Sequence, residues 1–347
     1  MKVLGIISSL TDPASRARVL QYIRPLSKEK IFIKPRFFIP DPYADPDPWA
    51  YKLKKFTGIN EYRFLSAQRI IKRLPLFWEQ LKYDLIWQNR LILFKSSFFE
   101  KKLQKTTAFD FDDALWVYDG EKQVSEAISA SQIVFAGNEY LADFAKKSNN
   151  NVFIIPSTID TDHLFPKKKD TNYFTIGWIG SSFNFQFLEM IRPAVEFLLS
   201  TNKDVRFMAV SSAPPPQFIF NNDRMIFKQW SAEEESNLIN EFSVGLMPLA
   251  ENDFTKGKCS YKMLQYMACG VPVIVSPVGM NVKILSQREV GLSAITNEDW
   301  IAALQKLKND AGFYRACQIN GPLLIEEDYS VKKYAPVIAN LLRKTTK

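Results

Sequence analysis

The sequence predicts two doubly wound α/β domains, and three observations carry that prediction. Short apolar runs of β character alternate with helical segments along the whole chain, the pattern of parallel sheets covered by helices. At 347 residues, with 46% hydrophobic and 24% charged side chains, the chain can build two ordinary cores. The stretch Val244–Asn281, VGLMPLAENDFTKGKCSYKMLQYMACGVPVIVSPVGMN, reads as one complete strand, loop, helix and strand.

Taken in order, Lys2–Ser8 is a β-type run and Leu10–Ala14 a turn holding Asp12 and Pro13. A helix over Ser15–Leu26 follows, completing a Rossmann-like unit without the usual glycine fingerprint. It carries Arg16 and Arg18, with Arg16 a candidate for the interdomain crevice. Ile31–Ile39 is the next strand and Pro40–Pro48 (PDPYADPDP) a loop.

Between Lys52 and Lys105 stand thirteen Lys or Arg against four acids, so the chain's formal charge of +8 belongs to this one segment. Its helical stretch YRFLSAQRIIKRLPLFW offers Phe64, Leu65, Ile70, Ile71, Leu74, Phe77 and Trp78 for burial. One reading is a packed helix with solvated lysines; the other is a basic amphipathic surface resting on anionic lipid. Nucleic acid ranks well below both, since no recognised binding motif occurs.

Tyr83–Trp87 is a strand and Phe99–Leu103 helical, followed by Thr106–Trp116 (TTAFDFDDALW). That strand ends in Asp110, Asp112 and Asp113, three carboxylates where α/β ligand sites lie. They suit either a hard metal ion, as in a Mg²⁺-dependent phosphohydrolase using Asp110 and Asp112, or contacts to a sugar. Ser131–Gly137 is a strand, Glu139–Lys147 a helix, Val152–Ile155 a strand, Pro156–Pro166 turn-rich and Lys167–Asn172 a charged linker. The single histidine, His163, sits in a polar loop and reads as structural.

Phe174–Ile179, the loop Gly180-Ser181-Ser182 and a helix over Asn184–Leu199 form a phosphate-cradle layout. Val205–Val210 and Met225–Lys228 are strands, and Trp230 is a candidate to flank a nucleobase. Ser231 with Glu234 signals a helix start running to Ile239. In the opening stretch Val244–Pro248 is a buried strand, Asn252–Gly257 a loop, Lys258–Cys269 a helix, Gly270 its cap and Val271–Val275 a strand. Spacing places Lys258, Lys262 and Gln265 on one face of that helix. Two ammonium groups beside helix-start N–H groups suit a diphosphate, and Gln265 a sugar hydroxyl. Asn297–Leu307 and Ser330–Arg343 are the last helices.

The segment GKCSYKMLQYMACGVPVIVSPVGMN resembles the donor site of retaining GT-B glycosyltransferases, specifically family 4. Many members place two glutamates eight apart in it; this chain has Gly257 and Gln265 there, and so resembles a branch with a Gly-Lys-Cys…Lys…Gln pattern. DFDDALW and NEYLADFAKK…IIPSTIDTDHLFP resemble the first domain of the same branch. The resemblance implies a GT-B fold: a first domain over 1–168 with helix 330–347 packing back on it, a donor domain over 169–329, and a cleft between them. It implies transfer of a sugar from a nucleotide-sugar to a glycan, lipid-linked or polysaccharide acceptor, without metal or other cofactor. Lys258, Lys262, Gln265, Trp230 and Gly180–Ser182 then serve the donor, with Lys258 among the catalytic groups. Many relatives have a histidine on the first domain's side of the cleft; Asp112 or Asp113 fills that place here, with Arg16 and Asp110 on the acceptor side. Relatives also carry Arg and Lys after the Gly180 loop; their lack before Phe187 throws the diphosphate's charge onto Lys258 and Lys262. A catalytically inactive glycosyltransferase-like binding protein is the remaining alternative.

Three cysteines without metal-type spacing, a poor signal-peptide start and no run near the ~18 apolar residues of a membrane span suggest a cytoplasmic protein, peripheral on the inner membrane face if the basic segment binds lipid.

Overall fold

The computed structural model describes residues 1–38, 69–168, 172–215 and 222–346. The loop Pro40–Pro48, Phe64 and Leu65 of the basic segment, and much of the linker lie outside them. Two compact units form, Met1–Pro156 with Ala335–Lys347, and Ser157–Tyr334. The change of unit falls before Ile159, whose backbone bonds to Tyr329 and Val331 and whose side chain lies in the second core.

The first unit is a six-stranded parallel sheet of β1 (Lys2–Ile6), β2 (Phe32–Arg36), β3 (Leu85–Asn89), β4 (Thr107–Phe111), β5 (Ile133–Ala136) and β6 (Val152–Ile154). The order is β2-β1-β3-β4-β5-β6. Every residue of β3, β4 and β5 is buried, as expected for central parallel strands covered on both faces. The strand order reverses between β1 and β3, which places a crevice outside their C-terminal ends.

The second unit repeats the plan with β7 (Phe174–Ile179), β8 (Val205–Ser211), β9 (Met225–Gln229), β10 (Val244–Met247), β11 (Val273–Val275) and β12 (Gly291–Ser293). All are parallel in the order β12-β11-β10-β7-β8-β9, with the reversal between β10 and β7. Two apolar clusters fill its faces, one around Met263, Tyr266 and Ile284, the other around Trp178, Leu198 and Trp300.

Two helices depart from expectation for the same reason. The run Ser15–Leu26 breaks into Pro13–Arg18, a 3₁₀ turn and Ile23–Lys28. Pro25 cannot sit inside a continuous helix, lacking an N–H and clashing one turn back, so it falls in the first turn of a new one. Pro193 likewise starts the helix Arg192–Thr201, leaving Ser182–Phe187 and Glu189–Ile191 as 3₁₀ turns.

The third departure matters for the site. The expected helix over Lys258–Cys269 begins only at Tyr261. Asn252 caps a separate short helix, Asp253–Lys256, which Gly257 closes rather than opening the next. Ser260 then turns through the left-handed region at φ 56°, and Gly270 ends the longer helix at φ 66°, the conformation glycine adopts without strain.

Candidate functional site

In the second unit the reversal of strand order brings Gly180 and Lys262 together. Gly180 follows β7 and its N–H donates to Val210 O at 3.0 Å. Lys262 is the second residue of the helix Tyr261–Ala268, which leads from the end of β10 back to β11. A Cβ on residue 180 would lie 2.8 Å from Lys262 Cε, so glycine is what lets the lysine stem cross the loop. The Lys262 ammonium sits 5.0 Å from the centroid of the buried Trp178 ring, a cation–π contact that steadies it.

The other donor candidates are distributed differently. Lys258 lies in the link between the two helices, half-buried, with its ammonium 4.3 Å from the Phe254 ring centroid. It therefore shares no helix face with Lys262. Gln265 is on the helix three residues after Lys262, and is buried. Ser181 Oγ accepts from Asn184 Nδ2 at 2.8 Å, and Ser182 opens the 3₁₀ turn. Trp230 follows β9, two strands removed from β7, and its indole N–H donates to Glu235 at 3.0 Å.

Three residues that sequence reasoning passed over hold these loops in place. Tyr266 Oη accepts from Ile179 N at 3.0 Å and donates to Leu246 O at 3.2 Å, tying β7 to β10 beneath the site. Burial pushes its phenol well above the ordinary tyrosine value, keeping it a neutral donor. Asn281 is fully buried; it accepts from Ser260 Oγ at 2.6 Å and donates to Ser276 O at 2.9 Å. Ser276 Oγ accepts from Leu249 N. The signal for Asn281 was its place just after the Gly279 turn; Tyr266 gave none, since an aromatic at helical spacing reads as packing.

In the first unit the crevice at β1 and β3 is edged by Asp12, Arg90, Asp112 and Asp113. Arg90 directly follows β3 at φ 64°, a strained backbone for a side chain of its size. One guanidinium nitrogen donates to Asp112 Oδ1 at 3.2 Å and to Asp113 Oδ2 at 2.6 Å. Burial alone would depress the Arg90 pKa, but Asp112, Asp113 and Asp12 raise it above the ordinary value, so the cation is permanent. Asp112 and Asp113 thus stay together, partly exposed, as a pair held by one guanidinium nitrogen. Arg16, half-buried, lies on the helix that Asp12 caps. His163 is exposed in a turn.

Asp110 does not join the acceptor-side group. It is wholly buried inside β4, where Arg18 Nε donates to it at 2.7 Å and Trp87 Nε1 at 3.1 Å. Arg18 also donates to Ile155 O at 2.6 Å, so the pair ties the first helix to two parts of the sheet's end. The geometry gives no approach to Asp110 for a phosphate, and the phosphohydrolase reading loses its nucleophile.

Asp110 makes a prediction about stability. Burial pushes its carboxyl up to about 6 against the opposing pull of Arg18 and Trp87. The folded state therefore binds this proton more tightly than the unfolded chain, and lowering pH from 7 through 6 towards 4 adds stability from this group. The gain is on the order of 1–3 kcal/mol. Urea midpoints at pH 7 and pH 5 for wild type and Asp110→Asn should show wild type gaining on the variant as pH falls. A difference that stays flat with pH would refute it.

Residues 173–310, most of the second unit, match the family described as Glycosyl transferases group 1. No curated protein sequence matches the chain. Among solved structures, sucrose-phosphate synthase from Thermosynechococcus elongatus superposes with a TM-score of 0.73 at 14% identity, covering 99% of this chain and 98% of that one. HepE from Anabaena in complex with UDP-glucose gives 0.72 at 13% identity, covering 99% and 100%. The lipopolysaccharide outer core galactosyltransferase WaaB gives 0.61 at 15% identity, covering 99% of each chain. The two parallel-sheet units have the fold of GT-B glycosyltransferase structures, and the family match lies within the second.

Proposed function

We propose, from a second unit within which the group 1 glycosyltransferase match lies, that the protein is a retaining enzyme. It moves a sugar from a nucleotide-sugar to a glycan, lipid-linked or polysaccharide acceptor without a metal ion. The observation that carries this reading is the meeting of Gly180 and Lys262 where strand order reverses, beside the start of the helix Tyr261–Ala268.

As the bond between the sugar's anomeric carbon and the diphosphate oxygen breaks, its electron pair stays on the leaving diphosphate. Lys262, the backbone of the loop after Gly180 and the helix start would stabilise that charge. Lys258, in the link before that helix, adds a second cation. Ser260 Oγ donates to Asn281 and does not cap that helix, and the positive end of a helix is a favourable place for an anion. In the first unit Asp112 and Asp113, fixed by Arg90, would accept hydrogen bonds from acceptor hydroxyls. Retention of configuration rests on the resemblance of the donor segment. An anionic membrane surface is a proposed partner of the basic segment, and the cytoplasm its proposed location.

Calorimetry with UDP, GDP and dTDP, each in EDTA, tests the donor reading. UDP goes first, because HepE has been solved with UDP-glucose. One nucleotide binding without metal, with slow release of sugar from its nucleotide-sugar, is the expected result. Binding that requires Mg²⁺ would overturn metal independence, and binding without any turnover would favour the inactive binding protein.

A further inference from the structure

Residues 69–82 run as consecutive right-handed turns with apolar side chains on two opposite faces. The backbone N–H groups of Arg73 and Leu74, and of Leu76 to Glu79, donate three or four residues back along this stretch. The inner face, Arg73, Leu76, Phe77 and Gln80, packs against the sheet and the loop that follows β3, with Phe77 stacked on Phe99 at 5.5 Å. The outer face is Ile71, Leu74, Trp78 and Leu81, spaced three, four and three apart. The packed-helix reading would bury Ile70, Ile71, Leu74 and Trp78 and the amphipathic-surface reading would not; all four are exposed, Ile71 at 63% and Trp78 at 68%. Scattered exposed apolar residues are ordinary, but four in one helical row with an indole among them are not.

The charge along this stretch is mostly positive. Between residues 69 and 105 there are nine Lys or Arg and three acids. Each acid is engaged: Glu79 with Arg36 at 3.1 Å, Asp84 with Lys2 N at 2.7 Å, and buried Glu100 with Gln88 Nε2 and Ile92 N. Lys72 adjoins Ile71 and Lys82 adjoins Leu81 in sequence, and both are exposed. In the loop after β3, exposed Phe94 carries Lys95 over its ring at 5.2 Å. Apolar side chains interleaved with lysines match a layer whose surface is anionic and whose interior is hydrocarbon.

We propose that the outer face of residues 69–82 is the surface by which this protein docks on an anionic lipid bilayer. Trp78 and Leu81 insert at headgroup depth, with Lys72 and Lys82 on the lipid phosphates. The assignment rests on the reading of the basic segment as membrane-facing and says which residues do it.

The test uses the full chain with vesicles of phosphatidylcholine, with and without phosphatidylglycerol. Wild type should sediment with the anionic vesicles only, and less so as salt rises. Trp78→Ser/Leu81→Ser should weaken that binding on the order of tenfold or more. The substituted side chains are exposed, so nucleotide binding and the melting temperature should hold. Quenching of tryptophan fluorescence by brominated lipid should be seen in wild type and lost in Trp78→Phe. Wild type failing to bind either vesicle, or binding both alike, would overturn the membrane reading itself. Wild-type binding that the double serine variant keeps would overturn only this face. A wild-type dimer dissociated by the serine pair, or capture by an acidic protein in place of lipid, would show a protein interface and overturn the proposal.

Discussion

Replacing Lys262 with alanine should weaken UDP binding on the order of tenfold and lower kcat/KM for the nucleotide-sugar on the order of 100-fold. Lys262 is the cation that strand order, a glycine and an aromatic ring jointly fix beside the Gly180 loop. A charge-assisted contact to phosphate is worth more than a neutral one, and the leaving diphosphate gains charge as the bond breaks, so turnover should suffer more than binding. Folding should suffer far less than turnover, because Lys262 is half-buried and its contact with the Trp178 ring is worth roughly 0.5–1 kcal/mol. Calorimetry with UDP beside a turnover assay reads both quantities. Lys258→Ala in parallel should cost less, since Lys258 lies outside the helix. If Lys258→Ala proves the more damaging, the site is centred on the link between the two helices, and the Gly180–Lys262 assignment fails.

Gly245→Ala should be among the most destabilising single-methyl changes available in the second unit, costing about 3 kcal/mol. A Cβ there would stand 2.3 Å from the ring of Tyr266, which is fully buried and bonded at its hydroxyl to Ile179 N and Leu246 O. The ring has no room to retreat without breaking those bonds. Because Ile179 precedes Gly180, the displacement should reach the donor loop, so nucleotide affinity should fall together with the urea midpoint. Tyr266→Phe separates the two causes: it keeps the ring and leaves the buried Ile179 N–H unpaired, costing ~1–3 kcal/mol. A Gly245→Ala protein as stable as wild type would mean that the strand and helix are less closely packed than described.

Much of the fold was legible because burial on both faces of a parallel strand writes itself as a continuous apolar run. The runs Thr106–Phe111, Phe174–Ile179 and Val244–Met247 all became central strands. Helix ends were legible where glycine marked them, as at Gly270, and misplaced where proline began a turn, as at Pro25 and Pro193. Gly180 and Lys262 were both named from sequence. Their meeting was not, since spacing grouped Lys262 with Lys258, which lies before the helix, and with Gln265 three residues on.

By itself, then, the sequence determined the strand sequence of two α/β units, the glycine turns, and the lysines from which the proposed donor site is built. All of these are written in local spacing, where neighbouring residues bear on the same backbone turn. Tertiary structure decided which of several equivalent groups act together. Asp110, Asp112 and Asp113 are adjacent carboxylates in sequence, yet one is drawn into the core by Arg18, 92 residues earlier, while Arg90 holds the other two. The apolar residues of 69–82 look alike in sequence, and only packing against the sheet separates the inner row from the exposed one. A side chain's partner depends on chain segments far away, and local periodicity carries no record of them.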